Sequence, residues 1–203
     1  MRLLYVLLAA ITLATPVAAQ QPLAISGAVA FEAKSLSAID SRSAAHLLNP
    51  RARRDAPKVQ FDKAWLRTQP FIEGGAEWRC LAEALYFEAR GETIKGQFAV
   101  AEVILNRVES SSFPSTICAV INQGTGKRYQ CQFTYTCDGR AEVISEPLAW
   151  EMVGKVARLS MAGAAGNLTD GAQFYHTQSV RPNWSRVFDH TATIGYHKFY
   201  RRG

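Results

Sequence analysis

Glu88 and Glu92 stand four residues apart in the stretch LYFEARGE (85–92), and Glu88 directly follows Leu85, Tyr86 and Phe87. A carboxyl in such company is either neutralised by a cation or holds its proton unusually tightly, because burial penalises the charged form. A carboxylic acid still protonated near neutrality can pass that proton to a leaving oxygen, which is what cleavage of a glycosidic bond requires. Read from these residues alone, Glu88 is either a surface carboxylate paired with Arg90 or a more distant Lys, or a general acid. Glu92 lies one helical turn further on and would complete an inverting or retaining carboxylate pair. Alternatively, Gly91 breaks the helix between them and Glu92 caps the next helix. Glu83 falls on a different helical face and reads as solvated.

The elements around this stretch are legible from hydrophobic period. Leu81, Ala82, Leu85 and Ala89 recur at helical spacing from about Trp78, and Gly91 marks a stop after Arg90. Glu88 is therefore expected near a helix C-terminus, where the helix dipole also disfavours a negative charge. A second helix is expected over about 94–108, with Phe98, Ala101, Ile104, Leu105 and Val108 as its apolar stripe and Glu102, Asn106 and Arg107 as polar positions. A third is expected over about 146–161. Between the second and third, GTGKRYQCQFTYTCDGR places Tyr129, Cys131, Phe133 and Tyr135 in one alternating row, as in a short strand or extended loop. The aromatic segments AQFYHTQSVRPNWSRV and TIGYHKFY read as loops and small strands, so the architecture is mainly helical with a minor extended portion.

Other chemistries find less support. The four histidines, His46, His176, His190 and His197, stand in no H-x3-H or H-E-x2-H arrangement, so no metal or other cofactor is expected. No nucleophile elbow, P-loop or dinucleotide fingerprint occurs. Loop-borne aromatics, among them Phe133, Tyr135, Tyr175, Trp184, Tyr196 and Phe199, alternate with Gln132, Gln173, Arg181 and Asn183. Each ring singly is as well explained by core packing. As a group they suit a sugar ring, which has an apolar face and a rim of hydroxyls. His176, preceded by two aromatics, is expected in a pocket-forming loop.

The first nineteen residues have the pattern of an export signal: Arg2, an apolar run from Leu3 to Leu13, and the small residues Val17, Ala18 and Ala19 before the expected cleavage point. Export to the periplasm or envelope makes disulfides the leading reading of Cys80, Cys118, Cys131 and Cys137. Three pairings are possible; the close spacing of Cys131 and Cys137 favours one small loop and leaves Cys80 with Cys118. A zinc site is the competing reading, but there is no C-x2-C pair. Residues 20–77 are rich in Ala and Ser, interrupted by Pro22, Pro50, Pro57 and Pro70, and lack a sustained period. They are expected to form a tether, with a short helix near 38–48, ahead of a folded domain at 78–203. Within the formal charge of +6, residues 51–67 hold six Lys or Arg against two Asp, which suits either an anionic envelope surface or a solvated basic linker. Nucleic acid is not an expected partner of an exported chain.

The block ALYFEARGETIKGQFAVAEVILNRVESSSFPSTICAVINQ, followed in order by QCQFT, FYHTQSVRPNWSR and IGYHKFYR, resembles the SleB-type cell-wall hydrolases over roughly Cys80 to Arg201. The resemblance implies a lysozyme-like, α+β but mainly helical domain acting on the glycan strands of peptidoglycan. It implies that Glu88, the first Glu of the E-A-R-G-E motif, is catalytic; Gln132, Phe133, Tyr175, His176 and Trp184, from the aromatic and amide-bearing segments, are expected to contact substrate. Family members that act as lytic transglycosylases cleave between MurNAc and GlcNAc and leave a 1,6-anhydroMurNAc end, using one acid/base and no second carboxylate. A hydrolytic muramidase, an N-acetylmuramoyl-L-alanine amidase and a non-enzymatic wall-binding protein are the alternatives. The spore enzymes of the family carry a separate peptidoglycan-binding domain with no visible counterpart here; residues 20–77 and their basic patch are expected to substitute for it.

Overall fold

Asp62 opens the first helix by accepting from the Trp65 backbone N–H at 2.8 Å, a side-chain cap that satisfies one of the donors a helix start leaves free. The computed structural model describes residues 59–126 and 130–203. Among them are five α-helices, α1 (Lys63–Thr68), α2 (Ala76–Ala89), α3 (Ile94–Glu109), α4 (Ile117–Ile121) and α5 (Pro147–Met161), and three strands, β1 (Phe174–Thr177), β2 (Asp189–Ile194) and β3 (His197–Arg201). Short 3-10 turns occur at Thr134–Cys137 and Asn183–Arg186.

Helix α2 is the hub. Its Trp78, Leu81, Ala82, Ala84, Leu85, Tyr86 and Ala89 are all buried, which surrounds the helix with α3, α4 and α5. Helices that lose most of their perimeter to neighbours need small residues where partners approach. Gly154 of α5 is such a point: a Cβ there would lie 2.7 Å from the Phe71 ring and 2.9 Å from Trp78. The Trp78 indole donates to the Gly154 carbonyl at 2.9 Å, so even the ring's polar atom is satisfied inside the core. Disulfides join Cys80 of α2 to Cys118 of α4 and Cys131 to Cys137.

The expected tether differs from the structure over its last part. Residues 59–77 belong to the folded domain: Leu66 is wholly buried, Phe61 packs edge-on against Phe98 at 5.5 Å, and Phe71 meets Trp78 at 6.1 Å. The buried Lys155 of α5 pairs with Glu151 at 2.7 Å and donates to the Arg67 carbonyl at 3.2 Å, fastening α1. A six-residue helix between prolines carries too few apolar positions to show a period. The signal-like segment, the proposed helix near 38–48, His46 and residues 51–58 of the basic patch lie outside the described residues, as does Tyr129.

The chain's end forms an antiparallel sheet in the order β1-β3-β2, with Tyr175 opposite Phe199 and His176 opposite Lys198. Side chains alternate across it. Tyr175, His197 and Phe199 share one face; Phe174, His176, Lys198 and Tyr200 share the other. Of the short strand or extended loop expected over 129–135, the described part is loop, and Phe133, itself extended, leads into a 3-10 turn.

Candidate active site

The large side chains of LYFEARGE are each held by named neighbours. Leu85 fills the core, and the Tyr86 hydroxyl accepts from the Ser145 and Glu146 N–H groups, each at 3.1 Å, at the start of α5. Phe87 stacks on Tyr135 with ring centroids 4.7 Å apart. Arg90 turns away from Glu88: it donates to the Tyr86 carbonyl at 2.9 Å, pairs with Glu146 at 3.2 Å and lies over the Tyr86 ring. The ion-pair reading of Glu88 therefore loses its nearest cation. Among the described residues no Lys, Arg or His forms a salt bridge with Glu88.

Glu88 occupies the penultimate position of α2. Burial raises its pKa above the ordinary carboxylate value, opposed in part by a hydrogen bond donated by the Tyr175 hydroxyl. Tyr175 is itself driven to higher pKa, first by burial and then by the Glu88 charge, so it remains a neutral donor. Tyr135 is raised for the same reasons, burial first, then the carboxylates of Glu83, Glu88 and Glu142. The Glu88 charge is thus felt by two phenols, one borne by the 133–137 turn and one by β1, of which Tyr175 is the one in contact. Tyr135 also lines a cavity of about 390 Å³ with Glu83, Asn122 and Thr136. Glu83 is not simply solvated: it pairs with Arg79 at 2.9 Å while facing this cavity.

Glu92 has another task. It is buried, and its carboxylate accepts from the Tyr196 N–H at 2.8 Å and the Thr93 N–H at 3.1 Å. His197 Nδ1 lies 2.7 Å from the same carboxylate, off the line of a well-formed hydrogen bond but close enough for strong electrostatic coupling. Burial lowers the His197 pKa against the pull of Glu92. The cap of α3 is not Glu92 but Thr93, whose hydroxyl accepts from the Gly96 N–H at 3.0 Å. Glu92 instead ties the α2–α3 elbow to the β2–β3 turn. Gly195 in that turn has φ of 59°, and a Cβ there would overlap the Glu92 carboxylate.

The polar positions of α3 do not face solvent. Glu102 accepts from the Leu168 and Thr169 N–H groups at 2.7 and 3.0 Å, Asn106 donates to the Ala172 carbonyl at 2.8 Å, and Arg107 donates to the Gln173 carbonyl at 2.7 Å. Together they grip the backbone leading into β1, and so set the position of Tyr175. Arg107 is buried, its pKa drawn down to about 10 by desolvation. The Gln132 amide, oriented by its hydrogen bonding, accepts from both terminal nitrogens of Arg107 at 3.0 and 3.2 Å. The Phe113, Phe133 and Phe174 rings surround the guanidinium.

Of the residues expected at the site, Tyr175 alone contacts Glu88. Gln132 and Phe133 meet Arg107 behind it; Phe133 is wholly in the core, at 2 % exposure. His176 and Trp184 pack on the opposite face of the sheet, with centroids 5.6 Å apart, beside Tyr200. Tyr135 and Arg107 were the residues that sequence reasoning underused. Tyr135 stood in the aromatic row and Arg107 at the polar end of a helix, but neither position identified its partner. Among the described residues no group of three or more His, Cys, Asp or Glu is placed to hold a metal ion, and no helix is long and apolar enough to cross a membrane.

A family model described as Cell Wall Hydrolase matches residues 91–200. The chain belongs to the Cell Wall Hydrolase family. The match begins just after Glu88 and includes Glu92, Arg107, Tyr135, Tyr175 and His197. The chain is 29% identical over 148 residues to the spore cortex-lytic enzyme of Halalkalibacterium halodurans, covering 71% of this chain and 42% of that protein. It is 32% identical over 119 residues to that of Bacillus cereus, covering 59% and 42%. The chain therefore spans less than half the length of these curated relatives. Among solved structures it resembles the catalytic domain of the germination-specific lytic transglycosylase SleB from Bacillus anthracis, with TM-score 0.51, 30% identity, and coverage of 66% of this chain and 100% of that one. The Bacillus cereus SleB catalytic domain gives TM-score 0.50 at 29% identity, covering 66% and 98%. This Cell Wall Hydrolase domain has the expected lysozyme-like, mainly helical α+β fold.

Proposed function

We propose that this chain cleaves the glycan strands of peptidoglycan between MurNAc and GlcNAc, as a lytic transglycosylase with Glu88 as its acid and then its base. The observation that carries the reading is the environment of Glu88: a carboxyl at a helix C-terminus, raised in pKa by burial, without a cation partner among the described residues, and touched by one phenol. The protonated carboxyl donates to the glycosidic oxygen as the C1–O bond of muramic acid breaks. The 6-hydroxyl of the same sugar then attacks C1, and the Glu88 carboxylate accepts its proton. A 1,6-anhydro end forms, no water is consumed, and the acid is restored.

One carboxyl suffices for that cycle. Glu92 is unsuited to be a second, because its oxygens are engaged by Tyr196, Thr93 and His197. Tyr175 keeps the Glu88 carboxyl oriented through both halves, and the cavity beside Tyr135 receives part of the sugar chain. Gln132 and Phe133 act indirectly, by fixing Arg107. The export-like start at 1–19 supports action in the periplasm or envelope, where residues 51–67 hold the chain near anionic polymer. Mass spectrometry of fragments released from purified peptidoglycan tests the reading. Anhydro ends are expected; reducing ends would make the enzyme a muramidase, and free stem peptides on intact glycan an amidase. A wall-binding protein would release nothing.

A further inference from the structure

The face of the sheet turned away from Glu88 carries a second concave site. A cavity of about 550 Å³ is lined by Arg181, Arg186 and Lys198, with Gln178, Ser179 and Ser185 between them. Among the described residues three cations contribute to its wall and no carboxylate does. Among the described residues none of the three forms a salt bridge or a side-chain hydrogen bond. Lys198 is half-buried on the sheet, and Arg181 and Arg186 reach the same space from the exposed loop, so three like charges share one cavity, an arrangement that an anionic ligand would relieve.

The floor of the cavity is fixed. His176 Nδ1 lies 2.7 Å from the Thr177 carbonyl, which can only accept, so that nitrogen carries the proton. His176 Nε2 then accepts from the Tyr200 hydroxyl at 3.1 Å, and the two rings stack 5.2 Å apart. Trp184 braces both rings from the side. The loop over 178–186 is anchored by the Gln178 N–H to the Tyr196 carbonyl at 2.9 Å and the Gln178 amide to the Gly195 carbonyl at 3.1 Å. A cationic, amide- and hydroxyl-rimmed space on a rigid floor, within the ~300–1,000 Å³ of small-ligand sites, is too large for a lone ion. It suits a short chain bearing amides and more than one carboxylate, which guanidinium forks engage two oxygens at a time.

We propose that this cavity binds the carboxylate-bearing stem peptide of peptidoglycan, on the opposite side of the sheet from the glycan. The identity of the peptide rests on the proposed wall substrate; the anionic chemistry rests on the three cations. Bound there, the peptide raises affinity for peptide-bearing strands and leaves the chemistry at Glu88 to the other face. His176 and Trp184 accordingly serve this site as its floor rather than the glycan cleft.

Calorimetric titration of the full chain with the free tetrapeptide L-Ala-γ-D-Glu-diaminopimelate-D-Ala tests the inference. Saturable binding is expected, weakening as salt is added. Amidating the peptide's carboxylates should weaken it at least about tenfold, and Arg181→Gln or Lys198→Gln about tenfold each. Glu88→Gln should bind the peptide as the parent does; a parent that binds the peptide but releases no glycan fragments would sink the proposed function and leave this site standing. No saturable binding, or equal binding of the amidated peptide, would overturn the inference. So would inorganic phosphate binding as tightly as the peptide, since the cavity would then be a phosphate site.

Discussion

The Tyr175 hydroxyl donates to the Glu88 carboxyl, joining the first strand of the sheet to the last turn of α2. The bond stabilises the charged carboxylate, whereas burial stabilises the acid, and burial dominates. Removing the phenol in Tyr175→Phe should therefore let Glu88 hold its proton to still higher pH. The alkaline limb of the pH–activity profile should move upward, while turnover falls about tenfold as one orienting hydrogen bond to a charged group is lost. A limb that moves to lower pH would contradict this relationship.

The same burial has a consequence for stability. Glu88 binds its proton more tightly in the folded protein than in the unfolded chain, whose value lies near 4.5. Its contribution to stability is present below that value and is lost as pH rises through the folded-state pKa. Glu88→Gln keeps the shape and removes the titration. The variant's melting temperature should match the parent's near pH ~4 and exceed it near pH ~7. His197 acts with the opposite sign: its folded pKa is depressed, so it favours folding above the ordinary 6.5 and loses that contribution as pH falls. Both proteins share His197, and its effect cancels in the difference. A constant difference across this range would argue against a buried, titrating Glu88.

Arg107 tests how the site is held rather than what it does. Its guanidinium reaches the Gln173 carbonyl and the Gln132 amide together, a fork that an ammonium does not reproduce. Arg107→Lys should cost about 1–3 kcal/mol by leaving a buried acceptor unpaired. Thermal melting checks this, at about 2–4 °C for each kcal/mol in a domain of this size. An unchanged melting temperature would mean that the strand is held without it.

Gly195 and Gly126 separate backbone strain from contact. Both have positive φ, 59° and 83°, but only at Gly195 would a Cβ meet the Glu92 carboxylate; at Gly126 there is open space. Each alanine variant should carry the ~1–3 kcal/mol typical of a strained backbone, and Gly195→Ala should cost more because it also displaces Glu92. Chemical denaturation of the two variants compares them directly, and equal losses would mean that the Glu92 contact is slack.

The helices were legible because α2, α3 and α5 are long enough to repeat an apolar stripe. Glu88 was legible as an unusual acid because three large apolar residues precede it. The partners were not, because they come from far along the chain: Tyr175 to Glu88, His197 to Glu92, Gln173 to Arg107. Periodicity names a face but not what will cover it. Glu102, Asn106 and Arg107 read as a polar face, and that face was buried against backbone carbonyls and N–H groups instead of water. Helix α1 escaped because Leu66 and its neighbours form a single turn and a half between prolines, and their burial depends on α5.

The most direct test of Glu88 as the proton donor is mass spectrometry of the soluble fragments released from purified peptidoglycan by the parent and by Glu88→Gln. The parent should release 1,6-anhydro-ended fragments, and the folded variant should lose ~10²–10⁴-fold of that release with the general acid gone. Fragment release by the variant at the parent's rate would contradict the assignment.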